Sequence, residues 1–377
     1  MEDVIERTKC TGCTCCINLC PKKAISININ EEGFEYPIID KTKCINCGLC
    51  ERKCPVLNKK NNKSLNDCYV AFAKDNKLKN NASSGGIFPL LAKYIIEENG
   101  IVIGASLEHN ELIHVAIDSI KDLDKLKGSK YLQSSLGELF SYIESNVKKR
   151  KILFVGTPCQ VAGLKSFIKK DYDNLICVDL FCHGVPSPKV YKKYVLEIEK
   201  KYNDKLITYK FRDKSTGWDT YSCSGKFTKK EIKEPHHVND YMKIFLSDVA
   251  LRESCYNCKF KLGNKYSDLT LGDFWGVDQF YPEMYKKDGV SAIIVNSTKG
   301  AEIFEQIKTD LEYKNCKIEE ILFKNPVLVT SSKRPMTREK FFNELNDKNI
   351  SELSKKYNKN KKNILKKIID KIMKAFK

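Results

Sequence analysis

The sequence repeats one cysteine pattern within its first sixty residues. Residues 10–21 read CTGCTCCINLCP and residues 44–55 read CINCGLCERKCP, so both contain C-x2-C-x2-C-x3-C-P. Each copy places three cysteines in one tight loop and a fourth just before a proline. Thiols at this density and spacing predict that the stretch folds around bound metal.

The spacing predicts two [4Fe–4S] clusters. Three thiolates of one loop can bind three irons of a cubane, and the fourth cysteine reaches the other cluster. The predicted ligands are Cys10, Cys13, Cys16 and Cys54 for the first cluster, and Cys44, Cys47, Cys50 and Cys20 for the second. Structural zinc is the alternative, although zinc sites usually use two C-x2-C pairs. Cys15 is expected to point away from the cluster, with a ligand exchange as the alternative.

Composition narrows the class of protein. The chain has 377 residues, 17 cysteines and a formal net charge of +18. The first residues, MEDVIERTKC, are charged and unlike a secretory signal, so a cytoplasmic protein with metal-bound rather than disulfide-bonded cysteines is expected. No apolar run reaches the ~18 residues of a membrane span. Part of the positive charge lies in the last 27 residues and no nucleic-acid motif accompanies it, so no nucleic-acid partner is expected.

Beyond residue 67, strand-like and helix-like segments alternate, which predicts an α/β or α+β domain. The predicted strands are 69–73, 101–108, 112–118, 151–156 and 174–182. The predicted helices are 87–99, 135–149, 158–170, 187–202 and 301–313. A short hairpin is expected between the two cysteine repeats. The sequence contains no G-x-G-x-x-G after a strand and no G-x4-G-K-[ST], which disfavours a standard dinucleotide fold and a P-loop enzyme.

Four later cysteines form a candidate third site: Cys159, Cys182, Cys255 and Cys258. Cys159 follows Thr157 and Pro158, a good N-cap and a good first helical residue, so it should meet the positive end of a helix dipole. That position is expected to favour the thiolate, which is the ligand form. A reactive thiol and a reduced core cysteine are the alternatives. Cys177 lies inside an apolar strand and is expected in the core.

Two segments suit contact with phosphate. NASSGGIF at 81–88 places two serines and two glycines before a helix, and GSKYLQS at 128–134 adds Lys130 on a loop. A helix N-terminus of this kind binds phosphate groups well. Both segments are compatible with contact to a flavin pyrophosphate and equally with ordinary turns.

Seven segments, in this order, resemble the coenzyme F420 hydrogenase/dehydrogenase beta-subunit family. They are SSGGIF, GSKYLQS, VGTPCQVAGL, LFCHGVPSP, FRDKSTGW, the C-x2-C at 255–258 and SDLTLGDFWG. The resemblance covers about residues 1–300, and the sequence is also similar to 7-hydroxymethyl chlorophyll a reductase. It implies a flavoprotein that binds FAD in its large domain beside a [4Fe–4S] cluster.

The resemblance also implies roles for particular residues. The ligands of that cluster become Cys159, Cys182, Cys255 and Cys258. The flavin-contact candidates are Ser84, Gly85, Gly86, Lys130, Tyr131 and Gln133. The catalytic candidates are His183, Arg212, Lys214 and Asp273. Surface salt bridges and a turn are the alternative for the last three, and a hydrogen bond to the cluster or a structural role is the alternative for His183.

The expected architecture is a dicluster ferredoxin domain (1–58), a linker (59–67), a larger mixed α/β flavin and iron–sulfur domain (68–330) and a helical Lys-rich extension (331–377). The expected function is an FAD-dependent oxidoreductase that joins a redox partner protein or ferredoxin to a small-molecule donor or acceptor. Coenzyme F420 and an acceptor of polysaccharide synthesis are both compatible. The alternative is a non-catalytic ferredoxin-type subunit of a larger redox complex.

The last fifteen residues, NILKKIIDKIMKAFK, have an apolar stripe opposite lysines. A basic amphipathic helix of this kind suits an anionic membrane surface or a partner protein. Packing on its own domain is the alternative.

Overall fold

The N-terminal domain is built around two short helices that each follow a cysteine loop. The computed structural model describes residues 2–58, 67–79, 81–263 and 265–358 of the chain. A three-stranded antiparallel sheet has the order β1-β3-β2. Its elements are β1 (Glu2–Asp3), α1 (Cys15–Leu19), β2 (Ile25–Ile29), β3 (Glu35–Ile39) and α2 (Leu49–Arg52). The hairpin expected between the cysteine repeats is therefore confirmed.

The large domain alternates strands and helices. Its strands are β4 (Asp67–Ala73), β5 (Ile101–Glu108), β6 (Glu111–Ile117), β7 (Ile152–Gly156), β8 (Leu175–Leu180), β9 (Leu206–Asp213), β10 (Ser222–Phe227), β11 (Glu231–Pro235), β12 (Leu269–Asp273), β13 (Ser291–Val295) and β14 (Leu311–Cys316). Its helices are α3 (Asn76–Lys79), α4 (Ile87–Glu97), α5 (Leu123–Leu126), α6 (Leu139–Asn146), α7 (Pro158–Phe167), α8 (Pro188–Tyr202), α9 (Asp240–Leu246), α10 (Val277–Phe280), α11 (Thr298–Ile307), α12 (Ile318–Leu322), α13 (Arg338–Glu344) and α14 (Ile350–Tyr357).

A mixed eight-stranded sheet organises this domain. Its strand order is β14-β4-β13-β12-β8-β7-β5-β6. The central strands β5, β7, β8 and β12 run parallel, and the pairs toward both edges are antiparallel. β7 is buried along its whole length, as expected for a strand covered on both faces. The predicted mixed α/β fold is confirmed, and the five predicted strands and four of the predicted helices are present within a few residues.

Two parts of the domain differ from the sequence-based expectation. The predicted helix at 301–313 ends at Ile307, and Leu311–Cys316 instead forms edge strand β14, which pairs with β4. Tyr313 contacts Tyr69 and Phe304 there, with ring centroids 5.8 and 5.5 Å away, so side-chain packing outweighs helical periodicity. A separate antiparallel sheet, ordered β11-β10-β9, was not predicted.

The described part of the C-terminal extension packs into the large domain. Phe341, Leu345, Ile350 and Leu353, from α13, α14 and the turn between them, are buried in a cluster with residues of α8 and α9. The predicted amphipathic helix over residues 363–377 lies outside the described residues, as does most of the linker. Among the helices that are described, none combines the length and the apolar character needed to cross a membrane.

Candidate metal centres and cofactor cleft

The predicted ligands of the first cluster come together in one cavity. Its lining contains Cys10, Cys13, Cys16 and Cys54, together with Cys15 and apolar groups such as Ile5 and Val56. Burial raises the pKa of the Cys13 thiol to about 12, and the neighbouring Cys10 and Cys54 act in the same direction. Four thiols in a mostly apolar cavity are a suitable donor set for an iron–sulfur cluster.

The extra cysteine of this loop is turned toward the backbone. The Cys15 thiol lies 3.6 Å from the carbonyl oxygen of Lys53 and donates a weak hydrogen bond to it. Cys15 is also buried, although its side chain still borders the cavity. The geometry therefore agrees with the expected orientation, and the choice of ligand remains a prediction.

The second set of four cysteines lies closer to the surface. Cys47 is exposed, whereas Cys20, Cys44 and Cys50 are partly buried. Backbone N–H groups donate to two of these sulfurs: Asn46 to Cys44 at 3.4 Å and Ala24 to Cys20 at 3.2 Å. Such N–H···S contacts stabilise negative charge on sulfur, which suits a thiolate ligand.

The candidate third site is assembled from three separate segments. Cys159 is the second residue of α7, Cys182 lies two residues beyond β8, and Cys255 and Cys258 come from a short 3-10 turn. All four line one cavity. This arrangement required the fold, because the sequence offers only two single cysteines and one C-x2-C pair.

The thiolate form that the sequence predicted for Cys159 is not favoured by its surroundings in the structure. Thr157 and Pro158 begin α7 as predicted, and the Thr157 hydroxyl lies 3.2 Å from the Cys159 sulfur. Burial nevertheless raises the pKa of the Cys159 thiol well above its ordinary value, and the neighbouring Cys182 adds to the rise. Desolvation thus changes the Cys159 pKa more than the dipole of α7 does. The positive charge of a bound metal would favour the thiolate.

Structural zinc is the alternative to iron–sulfur clusters at these thiols, and a zinc ion needs its sulfurs about 2.3 Å from one point. Over the ranges that the structure describes, no three His, Cys, Asp or Glu side chains converge to hold one metal ion.

The first and third cavities are neighbours. Thr11 lines both of them. Helix α7, which carries Cys159, packs so closely on the ferredoxin domain that a Cβ atom on Gly163 would lie 2.8 Å from Cys13 Cβ. Cys13 is also among the groups that raise the Cys159 pKa. The fold therefore places a predicted ligand of the first cluster beside a predicted ligand of the third.

His183 borders the third cavity rather than the large cleft described next. Its Nε2 atom pairs with the buried carboxylate of Asp248 at 2.5 Å, and its carbonyl accepts a hydrogen bond from Ser332 at 2.9 Å. Its ring also lies edge-on to Phe245. The structure thus places His183 next to the cysteine site and fixes the orientation of its ring.

A separate cleft of about 1380 Å³ is lined by residues of β5, β6, β9 and the loop around Lys130. Ligand pockets typically measure roughly 300–1,000 Å³, so the cleft can hold a dinucleotide-sized molecule. Basic side chains outnumber acidic ones along its walls, and they are Lys79, Lys125, Lys127, Lys130, Lys192, Lys205, Lys210, Arg212 and Lys214.

Two of these lysines have no carboxylate in hydrogen-bond contact among the described residues. The Lys130 ammonium donates to the carbonyl oxygens of residues 125, 126 and 127 at 3.2, 2.8 and 2.8 Å. The Lys214 ammonium donates to the carbonyl oxygens of Lys79, Ser84 and Asp288. Burial lowers the pKa of Lys130 to about 7 and that of Lys214 to about 8. An anionic ligand would stabilise both cations.

The other flavin-contact candidates are distributed differently. Gly85 donates its N–H to Ser291 Oγ at 3.0 Å, the Ser84 hydroxyl donates to the Val290 carbonyl at 2.8 Å, and Gly86 is the N-cap of α4. Of the six candidates, only Lys130 is in the described lining of the cleft. Tyr131 stacks on Phe245 with centroids 4.8 Å apart, and Gln133 bonds to Arg252 under the first cluster loop.

Arg212 and Asp273 form a salt bridge that is largely buried. Asp273 also accepts a hydrogen bond from Trp218 Nε1 at 2.7 Å, and Trp218 stacks on Trp275 with centroids 4.5 Å apart. The predicted catalytic residues Arg212 and Lys214 line the cleft, whereas Asp273 stands behind Arg212. A surface salt bridge was the alternative role for these residues. The Arg212–Asp273 salt bridge is instead buried in the protein interior.

Sequence reasoning missed Arg252, which is completely buried beside the first cluster loop. It also missed Gly163, whose lack of a side chain admits Cys13. The sequence gives no local signal for either, because their partners are 119 to 242 residues away along the chain.

Two family comparisons match this arrangement. Residues 9–58 match the family described as "4Fe-4S dicluster domain". Residues 149–320 match the family described as the C terminus of the coenzyme F420 hydrogenase/dehydrogenase beta subunit. Most of the large domain is therefore similar to this beta-subunit family. The resemblance seen in the sequence is thereby confirmed, and the chain is a redox protein with an iron–sulfur domain in front of a beta-subunit-type domain.

A solved structure of the F420-reducing [NiFe] hydrogenase complex from Methanosarcina barkeri, derivatised with xenon, contains a similar chain. The two sequences are 19% identical, the match covers 78% of this chain and 91% of that chain, and the TM-score is 0.46. No curated protein matches this sequence significantly.

Proposed function

We propose that this beta-subunit-type protein is an iron–sulfur flavoprotein oxidoreductase that joins a one-electron carrier to a two-electron substrate. The observation that carries the proposal is the third cysteine cavity. Cys159, Cys182, Cys255 and Cys258 meet there beside the first cluster loop. A ferredoxin domain alone would not need this additional site.

The cleft supports FAD as the two-electron cofactor. It is large enough for a dinucleotide, and Lys130 and Lys214 offer two buried positive charges to a pyrophosphate. Asn81 and Ala82, just before the SSGG segment, line the same cleft. These features are those of a site for an anionic cofactor.

A short stretch of packed residues joins the third cavity to the cleft. Phe181, the neighbour of Cys182, covers Gly272 so closely that a Cβ atom there would lie 2.1 Å from the Phe181 ring. Asp273 follows Gly272 and pairs with Arg212, which lines the cleft. The two sites are therefore linked through contacts of only a few side chains.

This geometry suggests separate roles for the cofactors and for the protein side chains. When bound, flavin exchanges two electrons with a substrate and iron–sulfur clusters pass them singly. In the protein, the cysteines hold the clusters, the aromatic and apolar walls exclude water, and the Trp218–Trp275 stack and Asp273 hold Arg212 in place. Lys130 and Lys214 orient the anionic end of the cofactor.

The physiological partners belong to the same proposal. The exposed Cys47 makes the second predicted cluster the entry or exit point for a redox partner protein or ferredoxin. Coenzyme F420 and a small acceptor of polysaccharide synthesis remain the two substrate candidates, and reduction of each by the purified protein distinguishes them.

Metal and flavin analysis of matched variants tests the proposal. The protein, purified without oxygen, is expected to contain about twelve irons and one FAD per chain. Cys258→Ala should lose about four irons and keep about eight. Cys177→Ala, which changes a fully buried cysteine of β8, should keep all of them. A wild-type content of about eight irons without flavin would contradict the proposal and identify the chain as a ferredoxin-type relay.

A further inference from the structure

Arg252 is a completely buried cation whose hydrogen-bond acceptors among the described residues are neutral. Its relative exposure is 0%. Its Nε donates to the Cys10 carbonyl at 2.7 Å, Nη1 to Gln133 Oε1 at 2.9 Å and Nη2 to the Glu35 carbonyl at 2.9 Å. The guanidinium also lies over the Tyr36 ring, 4.2 Å from its centroid. Three neutral acceptors and a ring face satisfy its geometry but do not neutralise its charge.

The guanidinium lies against the loop that the first and third cavities share. Its Nε contacts the backbone of Cys10, a predicted ligand of the first cluster. A Cβ atom on Gly12, in the same loop, would lie 3.1 Å from Nη1, and Thr11, the neighbour of Gly12, lines both cavities. The backbone carbonyl of Arg252 also accepts a hydrogen bond from the N–H of Cys255, of the third site, at 2.9 Å. One fixed positive charge is thus held at the loop between the two sites.

A buried charge is costly unless opposite charge is near. Here thiolate ligands would supply that opposite charge on both sides. Each electron that a cluster accepts adds negative charge, so a fixed cation beside it stabilises the reduced form.

We propose that Arg252 is a positioning residue that raises the reduction potentials of the first and third clusters and so stabilises their reduced forms. This inference rests on the proposed function, since it requires both clusters. It assigns the buried charge an electrostatic role in addition to holding the two domains together.

Arg338 provides a matched control, because it also holds the two domains together. It is 2% exposed and also joins the two domains. Its guanidinium bonds to both carboxylate oxygens of Glu32 at 2.7 and 2.6 Å and to the Leu251 carbonyl at 3.1 Å. Glu253 lies 3.1 Å away as a second carboxylate. Arg338 is therefore buried and bridging like Arg252, but its charge is neutralised.

The test is a redox titration of the intact protein in the absence of oxygen. Electron paramagnetic resonance measures how much of each cluster is reduced at each potential. Arg252→Gln should shift the potentials of the first and third clusters to more negative values. The expected shift corresponds to at least a tenfold change in the one-electron equilibrium, about 59 mV. Arg252→Lys should keep most of the wild-type potential, and Arg338→Gln should lower thermal stability without this shift.

A second variant keeps the arginine in place. Gln133→Glu puts a carboxylate where Oε1 now accepts from Arg252, and the same negative shift is expected because the charge is neutralised. If Gln133→Glu keeps its full iron content and its cluster potentials are unchanged, the inference is overturned. This test holds even if Arg252→Gln does not fold. An equal shift in Arg338→Gln would also overturn it. A wild-type protein without clusters would instead overturn the proposed function itself.

Discussion

Gly163 contacts the first cluster loop. Because of this contact, we expect a change in stability on substitution by alanine that is opposite to the one usual for a glycine inside a helix. Gly163 lies inside α7 and faces Cys13. Replacing glycine by alanine inside a helix normally stabilises it by about 1 kcal/mol. Here we predict that Gly163→Ala destabilises the protein instead, because the added methyl group enters the space of a cluster loop.

The magnitude follows from the packing. The new Cβ would lie 2.8 Å from Cys13 Cβ and 3.0 Å from both the Cys13 carbonyl oxygen and Sγ. Carbon atoms pack best at about 3.5–4.0 Å, so the loop has to move by roughly 0.7 Å. Overpacking of this kind costs about 1–3 kcal/mol, which cancels or exceeds the helical gain. The net loss is therefore up to about 2 kcal/mol.

The assay compares thermal unfolding and iron content with those of Gly104→Ala. The three atoms nearest to a Cβ atom on Gly104 would belong to Leu126, the first at an ordinary 3.5 Å, so that variant should be neutral or slightly stabilised. Gly163→Ala should melt at a lower temperature and lose iron from the first cluster sooner under air. If Gly163→Ala is as stable as Gly104→Ala and keeps its iron equally long, the close packing of α7 on the loop is refuted.

Three further predictions use other contacts. FAD should bind more weakly as the pH rises above about 7, because Lys130 and Lys214 must be charged to hold the pyrophosphate and burial lowers their pKa values to about 7 and about 8. Each of these lysines that has to take up a proton on binding weakens the affinity by up to about tenfold per pH unit. Fluorescence titration of flavin binding from pH 6 to 10 measures this, and a flat profile contradicts it. Lys265→Met should cost about 3–5 kcal/mol in urea unfolding, because it leaves the fully buried carboxylate of Asp179, 3.0 Å from the ammonium, without its cation. Cys15→Ala should keep its full iron content, because the Cys15 thiol is turned toward a carbonyl oxygen.

The dicluster domain could be predicted from the sequence because its cysteine pattern depends on local spacing. The eight cysteines of the repeats lie within 45 residues, so their grouping needs no knowledge of the distant chain. The start of α7 at Pro158 was equally predictable, since Thr157 and Pro158 are local signals. The central strands were found because their apolar runs are long and bounded by turns.

The remaining features depend on contacts between distant segments. β11 alternates between exposed and partly exposed residues, so its sequence carries no apolar pattern. Arg252 reads as a surface residue in the sequence and becomes a buried cation only because Cys10 and Glu35 pack over it. The cleft candidates Tyr131 and Gln133 lie close to Lys130 in the sequence, yet the chain turns them toward Phe245 and Arg252 instead.

The central claim is that electrons pass between the ferredoxin domain and the flavin through the third cluster. The most direct measurement is stopped-flow mixing of the oxidised, FAD-loaded protein with a reduced ferredoxin in the absence of oxygen. The iron–sulfur absorbance should bleach first and the flavin absorbance should follow in the wild type. In Cys258→Ala the ferredoxin clusters should still be reduced while the flavin bleaches at least tenfold more slowly, since the connecting cluster is missing. Flavin reduction at the wild-type rate in that variant would contradict the account.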